Sequence, residues 1–152
     1  HNGQVGGYDK VRRRLDNMIP DDLYRGRIGG TDSESLFLVA MAYGLKQHPR
    51  AAMARAVYEA EALSRYAGTT PHMRFAAGWS DGETLYAARY ASDNLAPSLY
   101  YRIYDDGVMV VSEPLDEARD CWMEVPQGQM IEVRAGKVTQ VAFHSEEQLA
   151  AE

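Results

Sequence analysis

The hydrophobic period of this chain changes once, near residue 70, and that change restricts the fold more than any other feature. Before it, apolar residues recur at helical spacing; after it they come in short runs broken by turn residues. Over 8–18, Val11, Leu15 and Met18 form one stripe, and Arg12, Arg13 and Arg14 fall mostly opposite, as a solvated face. The stretch PDDLYRGRIGG is polar and rich in glycine, and reads as a loop. In TDSESLFLVAMAYGL, Thr31 is a suitable N-cap and Glu34 stands three residues on, the spacing of a capping box. Leu36, Leu38, Val39, Met41 and Leu45 cover most faces of that helix, which is therefore expected to be largely buried. A third helix is predicted over 50–66. Met53, Val57, Ala60 and Leu63 make its inner stripe, with Glu61 and Arg65 paired on its outside. Pro49 separates it from the second helix, and Gly68 with Pro71 ends it.

From 71 to 143 the runs RFAAGWS, ETLYAARY, SLYYRIY, VMVVS, MIEVRA and KVTQVAF are rich in Val, Ile, Tyr and Phe. Ser80-Asp81-Gly82, Asp105-Asp106-Gly107 and Ala135-Gly136 supply tight turns, so neighbouring runs should pair antiparallel. Three helices followed by about six strands imply an α+β domain with antiparallel sheets. The ten tyrosines are expected mostly on strands, where sheet packing accounts for them. The closing HSEEQLAAE reads as a frayed tail or a short surface helix.

Composition narrows the partners. A chain of 152 residues can fill one core but is short for two. Net charge of -6 and a pI near 5.2 argue against nucleic acid or an anionic membrane as partner. No apolar run approaches the roughly 20 residues of a membrane-spanning helix. One cysteine, Cys121, fits a reducing, cytoplasmic setting. Flanked by Trp122 and Met123, it reads as a packed thiol rather than a reactive one. The four histidines are scattered, so neither a metal site nor a cofactor is expected.

The chain opens His1-Asn2-Gly3, where an Asn-Gly pair ordinarily marks a tight turn. Next come Gly30-Thr31-Asp32-Ser33-Glu34, then Leu85-Tyr86-Ala87-Ala88-Arg89 with Pro97-Ser98-Leu99-Tyr100-Tyr101 and Val111-Ser112-Glu113, then Val125-Pro126-Gln127-Gly128. In that order, these segments resemble the glutaminase domain of class II glutamine amidotransferases, which are N-terminal nucleophile hydrolases. The resemblance implies a four-layer αββα sandwich of antiparallel sheets. It also implies a cysteine nucleophile and a carboxylate-binding arginine upstream of the Asn-Gly pair. On this reading residues 1–152 are the C-terminal part of one such domain, incomplete at the N-terminus, and Cys121 is not its nucleophile.

Residue by residue, the resemblance gives Asn2 (side-chain amide) and Gly3 (backbone N–H) the oxyanion hole, and gives Asp32 the substrate's α-ammonium group. Local chemistry offers Asp32 a second role, since an acidic residue in a first helical turn is stabilised by the helix dipole, and the two roles are compatible. Glu34, Arg89, Ser112 and Glu113 read as scaffold. Tyr90-Ala91-Ser92-Asp93 departs from the commoner family pattern and resembles a small stand-alone branch that includes the amidohydrolase of ergothioneine biosynthesis. The end at Glu152 fits that branch.

The implied reaction is hydrolysis of glutamine or another γ-glutamyl amide, with a small molecule as partner and a homodimer as the base-rate expectation. Two alternatives stand beside it: an N-terminal nucleophile amidase of different acyl specificity, and a non-catalytic relative that binds a glutamyl ligand or a partner protein.

Overall fold

In the computed structural model, which describes residues 1–143, the helical part of the chain covers one face of a five-stranded antiparallel sheet. The helices are α1 (Tyr8–Asp16), α2 (Asp21–Tyr24), α3 (Asp32–Ala42) and α4 (Pro49–Tyr66). Helix α1 buries Val11 and Leu15 and leaves its three arginines exposed, as its pattern requires. Arg12 pairs with Asp16 at 3.6 Å, and Arg14 lies over the Tyr66 ring at 4.8 Å. Helix α3 starts where predicted: Thr31 Oγ1 accepts from Glu34 N–H at 3.3 Å. Leu36, Leu38, Val39 and Ala40 are all buried, so this helix is the centre of the core. Fully burying a leucine or valine contributes about 1.5–3 kcal/mol. Helix α4 begins with Pro49 in its first turn, where a missing N–H costs nothing, and buries Met53, Val57 and Ala60.

The strands are β1 (Asn2–Val5), β2 (Met73–Ser80), β3 (Thr84–Ala91), β4 (Tyr100–Tyr104), β5 (Gly107–Val111), β6 (Met123–Glu124), β7 (Gln129–Arg134) and β8 (Lys137–Ala142). The larger sheet runs β1-β2-β3-β7-β8, and the smaller one β5-β4-β6. Side chains alternate across the larger sheet. Phe75, Ala77, Tyr86, Ala88 and Met130 face the helices. Ala76, Ala87 and Ile131 face a second cluster with Leu99, Val125 and Tyr101, contributed by the smaller sheet and its flanking loops. The small alanines on that face let the two sheets approach. The layers described are thus helix, sheet, sheet.

The three turns named from sequence each close a hairpin, β2–β3, β4–β5 and β7–β8. Other expectations need correction. Asn2 and Gly3 form no turn; they lie in β1, paired antiparallel with Ala76 and Phe75. The 20–30 stretch contains the single-turn helix α2, because Pro20 precedes two acidic residues in a short helix start. Glu61 does pair with Arg65 at 2.5 Å, but it points inward, 5% exposed, and accepts from Tyr90 Oη at 2.6 Å. Cys121 is exposed, not packed: it ends a 3-10 turn (Arg119–Cys121), and the next residue, Trp122, takes the buried position. Only half the tyrosines stand on strands; Tyr8, Tyr24, Tyr58 and Tyr66 are helical and Tyr43 caps α3. The tail expectation for 144–152 lies outside the described residues. No described helix is long and apolar enough to cross a membrane.

Candidate functional site

Among the described residues, strand β1 is the outer strand of its sheet, and one of its edges has no strand partner. Gly6 N–H donates to His72 O at 2.8 Å, toward β2. Val5 N–H turns the other way, to Asp32 Oδ2 at 2.8 Å. N–H directions alternate along an antiparallel strand, so Gly3 N–H, two residues before Val5, belongs to the same outer edge as Val5 N–H. Glycine is required at that position. Its φ is +143°, and a Cβ built there would lie 2.0 Å from Arg74 O. Asn2 is exposed, on the face it shares with Ala76.

Asp32 reaches this edge from the first turn of α3. It is half-buried, with Oδ2 held by the β1 backbone and Oδ1 3.4 Å from Ser33 Oγ. Ser33 Oγ is in turn 2.8 Å from His1 Nδ1, and the His1 ring packs on Phe75 with centroids 5.1 Å apart. The structure therefore brings the three residues singled out from sequence, Asn2, Gly3 and Asp32, to one corner. A carboxylate has about four lone-pair sites, and Asp32 uses two of them. It retains capacity for a cation at the rim.

Behind the corner lies a polar network that periodicity did not reveal. The Arg27 side chain is 5% exposed and ion-pairs with Asp16. It also donates to Tyr8 Oη at 2.9 Å and Gly29 O at 3.2 Å. Burial by itself disfavours the Arg27 charge, but the bonds to Asp16 and Tyr8 outweigh it and raise the pKa above its ordinary value. Tyr8 Oη meets Thr31 O at 3.0 Å and Ser35 Oγ at 2.7 Å, and Ser35 Oγ donates to Asp16 at 2.8 Å. Glu34 does not fold back on the Thr31 N–H as a full capping box would; its two oxygens accept from Ile28 N–H at 2.8 Å and Gly29 N–H at 2.7 Å. Together these bonds fix the 25–31 loop and the start of α3, and hence Asp32. Arg27→Lys keeps the charge but cannot reach Asp16, Tyr8 and Gly29 at once. It should cost about 1–2 kcal/mol of stability in a urea melt. An unchanged midpoint would mean that the network does not hold the loop.

On the face of β1 and β2 that carries Asn2 and Ala76, away from the helices, Arg74 stands directly across from Gln4 and pairs with Asp93 at 2.7 Å. That bond holds the Asp93 carboxyl below its ordinary pKa and raises the Arg74 guanidinium. Arg89 donates to Pro97 O at 2.9 Å and Val125 O at 3.0 Å, and pairs with Glu124. It ties both sheets and the 92–99 loop together, which is the scaffold role read for it. Ser98 bonds Glu113, again within the scaffold. A cleft of about 600 Å³ lined by Asp9, Arg12, Asp16 and Tyr24 lies behind the network, not at the Asn2–Asp32 corner. Among the described residues no group of three His, Cys, Asp or Glu side chains is arranged to hold a metal.

Helices on an antiparallel sheet, backed by a second antiparallel sheet, make an α+β sandwich. Among solved structures the chain is similar to a glutamine aminotransferase class-II domain protein from Silicibacter pomeroyi. The two share 48% sequence identity and a TM-score of 0.90, over 95% of this chain and 66% of that one. The chain belongs to the class II glutamine amidotransferase domain family. It spans just under two thirds of the length of that relative. No protein-family model matches the chain, and neither does any curated protein.

Proposed function

We propose that this domain hydrolyses the side-chain amide of glutamine or of another γ-glutamyl compound. A cysteine thiolate, carried by residues outside these 152, attacks the amide carbon, with the cysteine's own α-amino group as base. The oxyanion that forms is stabilised by Gly3 N–H and the Asn2 side-chain amide. The C–N bond breaks, the departing ammonia or amine takes the proton from the base, and water then cleaves the γ-glutamyl thioester to glutamate and free thiol. Asp32 holds the substrate's α-ammonium group throughout. In this reading the described helices and two sheets are part of a four-layer αββα sandwich, and the setting is cytoplasmic.

The observation that supports it most is the Val5 N–H bond to Asp32 Oδ2. It fastens an anionic side chain beside the strand edge to which Gly3 N–H belongs. A substrate with an ammonium group a few bonds from its amide could bridge the two.

The test is an intact mass spectrum of the protein as encoded, before and after treatment with a glutamine-like diazoketone that alkylates cysteine nucleophiles. One adduct, with ammonia released from glutamine by the untreated protein, supports the proposal. Absence of both would sink it and leave the non-catalytic alternative. Asp32→Asn can still accept from Val5 N–H but loses its charge. It should raise KM for glutamine about 30-fold, the loss of a charge-assisted bond of about 2 kcal/mol. An unchanged KM would favour an amidase indifferent to the α-ammonium group.

A further inference from the structure

Ser33 follows Asp32 on α3 and lies between two polar groups, His1 Nδ1 at 2.8 Å and Asp32 Oδ1 at 3.4 Å. A serine hydroxyl has one hydrogen to give. When that hydrogen is directed at the carboxylate, His1 must donate to Ser33, so its Nδ1 carries the proton. The donors then run from His1 to Ser33 to Asp32 and end on an acceptor. His1 is itself seated: its ring lies against Phe75, and Phe75 stacks on Phe143 with centroids 5.8 Å apart. On the other side, Asp32 Oδ2 is held by Val5 N–H. With one oxygen fixed by the β1 backbone and the other by Ser33, the carboxylate has a single orientation.

We propose that Ser33, oriented by His1, is a positioning residue that aims Asp32 Oδ1 at the α-ammonium group and so sets the preference for substrates that carry one. This rests on the glutaminase reading above. A bond between neighbours on a first helical turn is not needed to hold α3, whose start is already fixed by Thr31, Tyr8 and Glu34. Its consequence should therefore appear in substrate discrimination rather than in stability.

The test compares glutamine with its desamino counterpart, 4-carbamoylbutanoate, using the protein as encoded. Ser33→Ala should raise KM for glutamine about five- to tenfold with kcat retained, and leave both constants for the desamino amide unchanged. Ser33→Thr keeps the hydroxyl and should bring KM back toward that of the unmodified protein. His1→Phe retains the ring contact with Phe75 but not the donor, and should shift KM in the same direction as Ser33→Ala. The inference is overturned if Ser33→Ala affects both amides equally, leaves KM for glutamine unchanged, or is not reversed by threonine. If the unmodified protein hydrolyses neither amide, the glutaminase reading falls and takes this inference with it. If it hydrolyses glutamine normally and the Ser33 variants do not separate the substrates, only the inference fails.

Discussion

Gly3→Ala is expected to destabilise the protein by roughly 3 kcal/mol or more and to abolish amide hydrolysis. The added methyl carbon would stand 2.0 Å from Arg74 O and 2.7 Å from Arg74 C, both backbone atoms that cannot turn aside. The φ of +143° is itself unfavourable for any L side chain. β1 would have to leave β2, and its departure would undo the Val5–Asp32 bond as well. For a protein of this size the loss corresponds to a melting temperature lower by roughly 6–12 °C. Differential scanning calorimetry and an ammonia-release assay would measure the two effects. A variant that melts normally and retains its activity would show that neither the edge strand nor the Gly3 N–H matters as described.

Asn2→Ala separates chemistry from folding at the same corner. Asn2 is exposed, and its pairing with Ala76 is through the backbone, which alanine preserves. Stability should change little. If the side-chain amide donates to the developing oxyanion, kcat should fall about 10²–10³-fold, the usual cost of one such donor, with KM for glutamine nearly constant. The opposite pattern, a raised KM at constant kcat, would make Asn2 a ground-state binding residue and move the oxyanion hole elsewhere. Asp32→Asn gives the complementary profile, a KM effect, so the two variants together distinguish binding from transition-state stabilisation.

Much of this was legible in the residues. Helical stripes such as Val11–Leu15 and Met53–Val57–Ala60 report burial directly, because side chains on one helix face meet one neighbour. The hairpin turns carry their own chemistry in Asp-Gly and Ala-Gly steps. Thr31 was recognisable as a cap because capping is local. Where inference went astray, partners distant in sequence decided the outcome. Glu61 looks like a surface member of an i,i+4 pair until β3 brings Tyr90 against it. Cys121 looks packed until the 3-10 turn gives the buried place to Trp122. Arg27 had no signal at all, since a buried arginine in a glycine-bearing loop differs in no local respect from an exposed one.

The candidate site divides in the same way. The sequence by itself determined that an Asn-Gly pair, a capped Asp32 and an antiparallel α+β frame occur together in one chain, because residue type, spacing and turn chemistry are local properties. Only the tertiary structure decided that Asn2 and Gly3 lie in an edge strand rather than a turn, and that Val5 N–H is turned outward to Asp32. It alone also set His1 against Ser33, the sequence neighbour of Asp32. Those contacts join residues about 30 positions apart. Their geometry follows from which strand pairs with β1 and where the helix layer docks on the sheet, and no local window of sequence contains that information.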